Sequence, residues 1–108
     1  MAREISETDW KLFRQLHPIA RDRFCERVLS DVGRLASDTG KSAHDRYLAV
    51  FQLLHRRDKM LAEAFNGLRR STAWRQLAVI RSRGLLTEEE FASFSSETRG
   101  AVQVFSGA

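Results

Sequence analysis

The chain holds one cysteine, Cys25, and therefore cannot close a disulfide on itself. That single thiol, together with an opening segment MAREISETDW that lacks the apolar run of a secretory signal, leads us to expect a reducing, cytoplasmic setting. No window approaches 18 consecutive apolar residues, so no membrane span is predicted. Proline occurs once, at Pro18, and strict apolar/polar alternation is nearly absent, which excludes a sheet. The six glycines stand singly, and none forms a loop able to cradle phosphate. Low-complexity tracts, internal repeats and linkers are missing as well.

What is present is ordinary globular material: 108 residues, 43% hydrophobic and 30% charged. That length fits a single domain over 1–108. Apolar residues recur at steps of three and four almost throughout, predicting an all-α bundle of five or six helices built on a long central hairpin. Ser6 is the expected N-cap of a first helix carrying Trp10, Phe13 and Leu16 on one face, with Glu7 and Asp9 placed to suit its dipole. Pro18 is expected to end that helix or start the next, which would run to about Ser37 and bury Ile19, Phe24, Val28, Val32 and Leu35. Ser42 then caps a helix to about Phe65, Asn66 and Gly67 close it, and a further helix spans about 69–83 before Gly84. Thr87 opens a short acidic helix, and Ser95 or Ser96 a last one.

The long helix from Ser42 carries the line Tyr47, Phe51, Leu54, Leu61 and Phe65, whose one gap is filled by Asp58. A carboxylate in a core seam must find a partner, so Asp58 is expected to be buried and paired with an arginine of the preceding helix or with a helix end. Its removal would then cost about 1–3 kcal/mol.

The formal charge of +4 hides a segregation. Residues 1–40 balance seven basic against seven acidic residues, 41–83 hold ten against three, and 84–108 hold one against four. A basic middle can attract an anionic partner, or it can be neutralised by the acidic tail within the fold or across a dimer. The second arrangement is the one we expect. The side chains available to bind in the first are Arg56, Arg57, Arg69 and Arg70 around the Asn66–Gly67 turn, and Trp74, Arg75 and Arg81 beyond it. An indole flanked by cations can stack on a base or receive a carboxylate, although packing of Trp74 in the bundle is the simpler expectation.

Two local resemblances bear on function. "STAWRQLAVIRSRGLL" (71–86) is similar to the recognition-helix segment of winged helix-turn-helix repressors, which implies DNA binding through the basic 56–83 region. It departs from that pattern after Gly84, where "LLTEEEFASF" has acidic helical chemistry in place of a β-ribbon. "LAVIRSRGLLTEEEFASF" (77–94) resembles the short C-terminal helical hairpin, SHOCT-type, of many bacterial proteins, which implies a packing or oligomerisation element. The whole chain is also similar to small helical bacterial proteins.

Chemistry is sparsely represented. His17, Cys25, His44 and His55 never pair at i,i+3 or i,i+4, and no Cys-x-x-Cys exists, so no metal or cofactor is expected. Cys25 beside Phe24 and Val28 reads as a small core residue. No second titratable group is placed with Asp58, and no catalytic residue is assigned. The sequence therefore points to a non-catalytic adaptor or regulator working through protein–protein contacts, as a homodimer or with another protein. The alternative is a nucleic-acid binder using the arginines named above.

Overall fold

Hydroxyl side chains start four of the five helices in the computed structural model, which describes residues 4–106. Ser6 accepts from the Asp9 amide to open α1 (Glu7–Ala36), and Ser42 from the Asp45 amide to open α2 (Ala43–Phe65). After a 3₁₀ turn at Arg70–Thr72 and α3 (Ala73–Ser82), Thr87 caps α4 (Glu88–Ala92) and Ser95 caps α5 (Ser96–Phe105). At α4 the cap is reciprocal: the Glu90 amide donates to Thr87 Oγ1 while the Thr87 amide donates to Glu90 Oε1. Gly67 and Gly84 turn the chain out of α2 and α3 at φ values of 70° and 69°, a region costly for any residue with a Cβ. No strand occurs among the described residues, and the fold is all-α.

The main difference from the sequence reading lies at Pro18, which sits inside α1 and does not end it. A proline in a helix interior removes one backbone bond at a cost of about 3 kcal/mol. Here Pro18 faces solvent while Phe13, Leu16, His17, Ala20 and Phe24 on either side of it are buried in one core, and their burial holds the helix continuous. Ile19, expected inside, is 45% exposed.

The core gathers one face of α1 with Ala64 and Phe65 of α2, the inward side of α3, and Leu85, Phe91, Phe94 and Val102. α3 packs on both long helices and on α5, and it gives Ala73, Gln76, Leu77, Ala78 and Ile80 to the interior. All of this lies at one end of the hairpin. Thirty residues make α1 about 45 Å long, and the molecule measures 59 × 25 × 23 Å. From Leu29 to Ala36 of α1 and from Ala43 to Gln52 of α2 no residue is buried. The far end of the hairpin is thus a two-helix arm projecting from a small helical body.

Helix ends inside the body are satisfied by side chains from other elements. His17 Nε2 donates to the Phe65 carbonyl (3.1 Å), and Gln76 Nε2 to Ala64 (3.1 Å), where α2 has no basic residue in its last turn. Arg27 donates to the carbonyls of Arg83 and Gly84 at the end of α3. Arg23 holds Glu90 through two parallel bonds, 2.7 and 2.9 Å, and also reaches the Leu85 carbonyl. The Arg23 bonds lower the Glu90 carboxyl to about 2, against partial burial and with help from the Thr87 amide.

These contacts fix the acid response. Burial keeps the His17 ring neutral and pushes its pKa down, only partly opposed by the Phe65 carbonyl. The unfolded ring takes up a proton near pH 6.5 and the folded one only lower. Stability therefore declines as pH falls below about 6.5 and levels off once the folded ring protonates. A second decline begins below about pH 4, where unfolded carboxyls protonate while Glu90, like Asp9 and Asp31, stays ionised to lower pH. Urea midpoints at pH 8, 5.5 and 3 will show both steps. In His17→Gln the first should vanish, and a midpoint unchanged between pH 8 and 5.5 in the natural chain would refute it.

Candidate functional site

Asp58 is exposed, contrary to the expectation from its seam. The inward line of α2 is turned by one residue and runs Leu53, Arg57, Met60, Ala64. Arg57, not Asp58, is the charge facing α1, and its Nη2 donates to Asp31 at 2.7 Å. Asp31 also takes Arg34, and the two guanidiniums keep its carboxyl ionised below the usual range. Asp58 has no hydrogen bond or ion pair among the described residues. Asp58→Ala should consequently leave the monomer within about 0.5 kcal/mol of the natural chain. A thermal-melt series on both proteins decides this, and a loss above 1 kcal/mol would return Asp58 to the core.

The carboxylate that does occupy a core line is Asp9, only 3% exposed. It follows the same spacing as Phe13, Leu16, Ala20 and Phe24 on α1, a signal the sequence carried but which we assigned to the helix dipole. Its Oδ2 accepts from Ser95 Oγ (2.5 Å) and Thr98 Oγ1 (2.6 Å), and Oδ1 from the Ser95 amide (3.2 Å). Burial raises the Asp9 carboxyl, and the bonds from Ser95 and Thr98 more than reverse this and leave it lowered. Thr98 in turn accepts the Trp74 indole N–H at 3.0 Å. The cluster pins the cap of α5 to the start of α1, and every polar group in it has an internal partner. Trp74 is half-buried there, packed in the bundle.

Of the candidate binding residues, the structure brings Arg70, Trp74 and Arg75 together in one small pocket. Arg57 belongs to the Asp31 pair. Arg70 reaches Glu7 (2.9 Å) and the Ile5 carbonyl, and Arg81 lies over the Phe91 ring at 3.9 Å. Arg69 and Arg75 share a shallow groove with Glu63, while Arg56 stands exposed on α2 outside that groove. Within the chain, no ion pair joins the acidic tail to the basic middle among the described residues. Glu7, Asp31 and Glu63 take Arg70, Arg57 and Arg83, and the tail's Glu90 takes Arg23. The tail covers the middle instead by apolar contact, through α5 on α3 and Phe91 under Arg81. Arg27, Arg57 and Arg83 line a groove of about 510 Å³ beside Phe24 and Met60, and their guanidiniums already engage backbone carbonyls, Asp31 and Glu63. Among the described residues no three His, Cys, Asp or Glu side chains converge as a metal site, and no helix is long and apolar enough to cross a membrane. Cys25 is half-buried.

The largest group of exposed apolar side chains on one helix lies on α2. The outer face of α2 carries Tyr47, Leu48, Phe51 and Leu54, which are 66%, 38%, 57% and 44% exposed. His55 stacks on Phe51 with ring centroids 6.3 Å apart, and His44 and Asp58 close the two ends of the stripe. Tyr47, Phe51 and Leu54 are the upper members of the predicted seam. Its lower members, Leu61 and Phe65, turn into the body where α3 and the core cover them. Apolar side chains grouped on one face in this way are able to form a contact surface.

Comparison with known proteins finds no family model, no curated protein and no solved structure that matches the chain.

Proposed function

We propose that this chain is a non-catalytic, cytoplasmic helical adaptor or regulator that works through protein–protein contacts. The observation that carries the reading is the apolar stripe on α2, where four large apolar side chains at 38–66% exposure stand together on one helix face, whereas the other exposed large apolar residues, such as Ile19 and Val104, lie outside α2. A face so placed loses surface from water only when another protein covers it. Asp9 and His17, the buried ionisable groups, each bond to a distant part of the fold, which gives both a structural role. The segment resembling a SHOCT-type hairpin, 77–94, acts in this proposal as a packing element that holds α3 and α4 on the hairpin, through Arg23, Glu90 and Leu85.

The test is capture from the native host with the natural chain and with Phe51→Asp, followed by reconstitution of any captured protein from purified components. A partner bound by the natural chain and lost with Phe51→Asp supports the proposal; identical capture by both would defeat it. Nucleic-acid binding, the competing reading, rests on Arg56, Arg69 and Arg75, which are exposed and form no ion pair among the described residues. Binding to random duplexes at about 50 and 200 mM salt separates the two, since several phosphate contacts weaken steeply over that range. We expect weak binding by the intact chain with no sequence preference.

A further inference from the structure

Resting on the docking role of α2 just proposed, we infer that the occupant of its bare stripe is a second copy of this chain, packed antiparallel about a two-fold axis at Phe51. Two copies of α2 placed so bring residue i of one opposite residue 102 − i of the other. The exposed residues of the face then match chemically as well as by position. Phe51 meets Phe51 of the partner subunit, Leu48 meets Leu54 of the partner subunit, and Tyr47 lies against His55 of the partner subunit. At both ends His44 comes opposite Asp58 of the partner subunit. The two hydrophilic residues that end the stripe thereby complement each other twice in one dimer. A parallel pairing would set Asp58 against Asp58 and His44 against His44, like against like, and an antiparallel shift by a heptad would leave Phe51 without an apolar partner.

Asp58 is the informative residue. Within one chain it stands exposed at the end of the apolar stripe and forms no ion pair among the described residues. Across the two-fold it bounds the apolar contact and selects the antiparallel orientation, the role of a charged residue at the edge of a helical seam. The body sits at the far end of the hairpin from the stripe, so an antiparallel pair sets the two bodies on opposite sides of the contact. Seven residues a side are well short of the ~20–30 of a standard interface, so the dimer should be reversible.

The test has two parts. Sedimentation equilibrium of the natural chain from about 1 μM to about 1 mM, a span chosen to bracket a reversible association, should show a monomer–dimer equilibrium. Phe51→Asp should weaken it at least about 30-fold, the loss of one interface hot spot, with unchanged helicity by circular dichroism. In a Cys25→Ser background, Phe51→Cys should form an intermolecular disulfide, Tyr47→Cys alone should not, and Tyr47→Cys with His55→Cys should. A monomer at the highest concentration, or a dimer indifferent to Phe51→Asp, overturns the inference. So does cross-linking of Tyr47→Cys alone as efficient as that of Phe51→Cys, which would mean parallel helices. The outcomes also separate the two proposals. A dimer with no other partner ends the adaptor reading and leaves this one standing, whereas a monomer that captures a protein through Phe51 does the reverse.

Discussion

Asp9→Ala is expected to destabilise the protein by about 2–4 kcal/mol, since it strips two hydroxyls and a backbone amide of their buried acceptor. The three donors are Ser95 Oγ, Thr98 Oγ1 and the Ser95 amide, and two of them belong to the residue that caps α5. Against a total stability of ~5–15 kcal/mol for a domain of this size, the loss would lower Tm by roughly 10 °C or more. Asp9→Asn retains one acceptor oxygen and should cost less, while still failing to hold all three donors. Trp74 supplies a local signal, because its indole N–H donates to the same Thr98. Release of α5 should change its fluorescence before the rest of the body melts. Should Asp9→Ala cost under 1 kcal/mol, the node is decorative and α5 is held by apolar packing alone.

The second large effect is at Phe65. Its ring lies 5.2 Å from that of His17 and 6.4 Å from that of Phe24, and it is 5% exposed where α1 meets the end of α2. Phe65→Ala should cost about 3–4 kcal/mol, the transfer term plus the cavity left between two helices that cannot close on it. Phe51 stands two heptads earlier on the same apolar line, and Phe51→Ala should change the stability of the monomer by less than about 0.5 kcal/mol. Both are read by urea unfolding at a concentration low enough to suppress self-association. Comparable losses at the two positions would mean that the stripe on α2 is covered within one chain, and the proposals built on it would fall.

Local chemistry was legible in the residues themselves. Ser6, Ser42, Thr87 and Ser95 mark helix starts because a cap needs only a hydroxyl and an amide three residues on, and Gly67 and Gly84 mark helix ends because φ > 0 is a property of one residue. The three-and-four spacing of apolar residues likewise fixed an all-α chain with a long hairpin. Which side of a helix faces which neighbour was decided by the tertiary structure. Asp9 and Asp58 both interrupt apolar lines, and spacing treats them alike. Asp9 is buried because Ser95 and Thr98 arrive from the other end of the chain with three donors, while Asp58 stays in water because α1 offers Asp31 at that level and so draws in Arg57. Pro18 follows the same rule, its local cost outweighed by a core assembled from residues more than forty positions away. Periodicity determines that a face exists, a property of neighbours within one or two turns. The partner of that face, another helix of this chain or water, depends on contacts distant in sequence, and these settle which charge is paired and which apolar stripe is left bare.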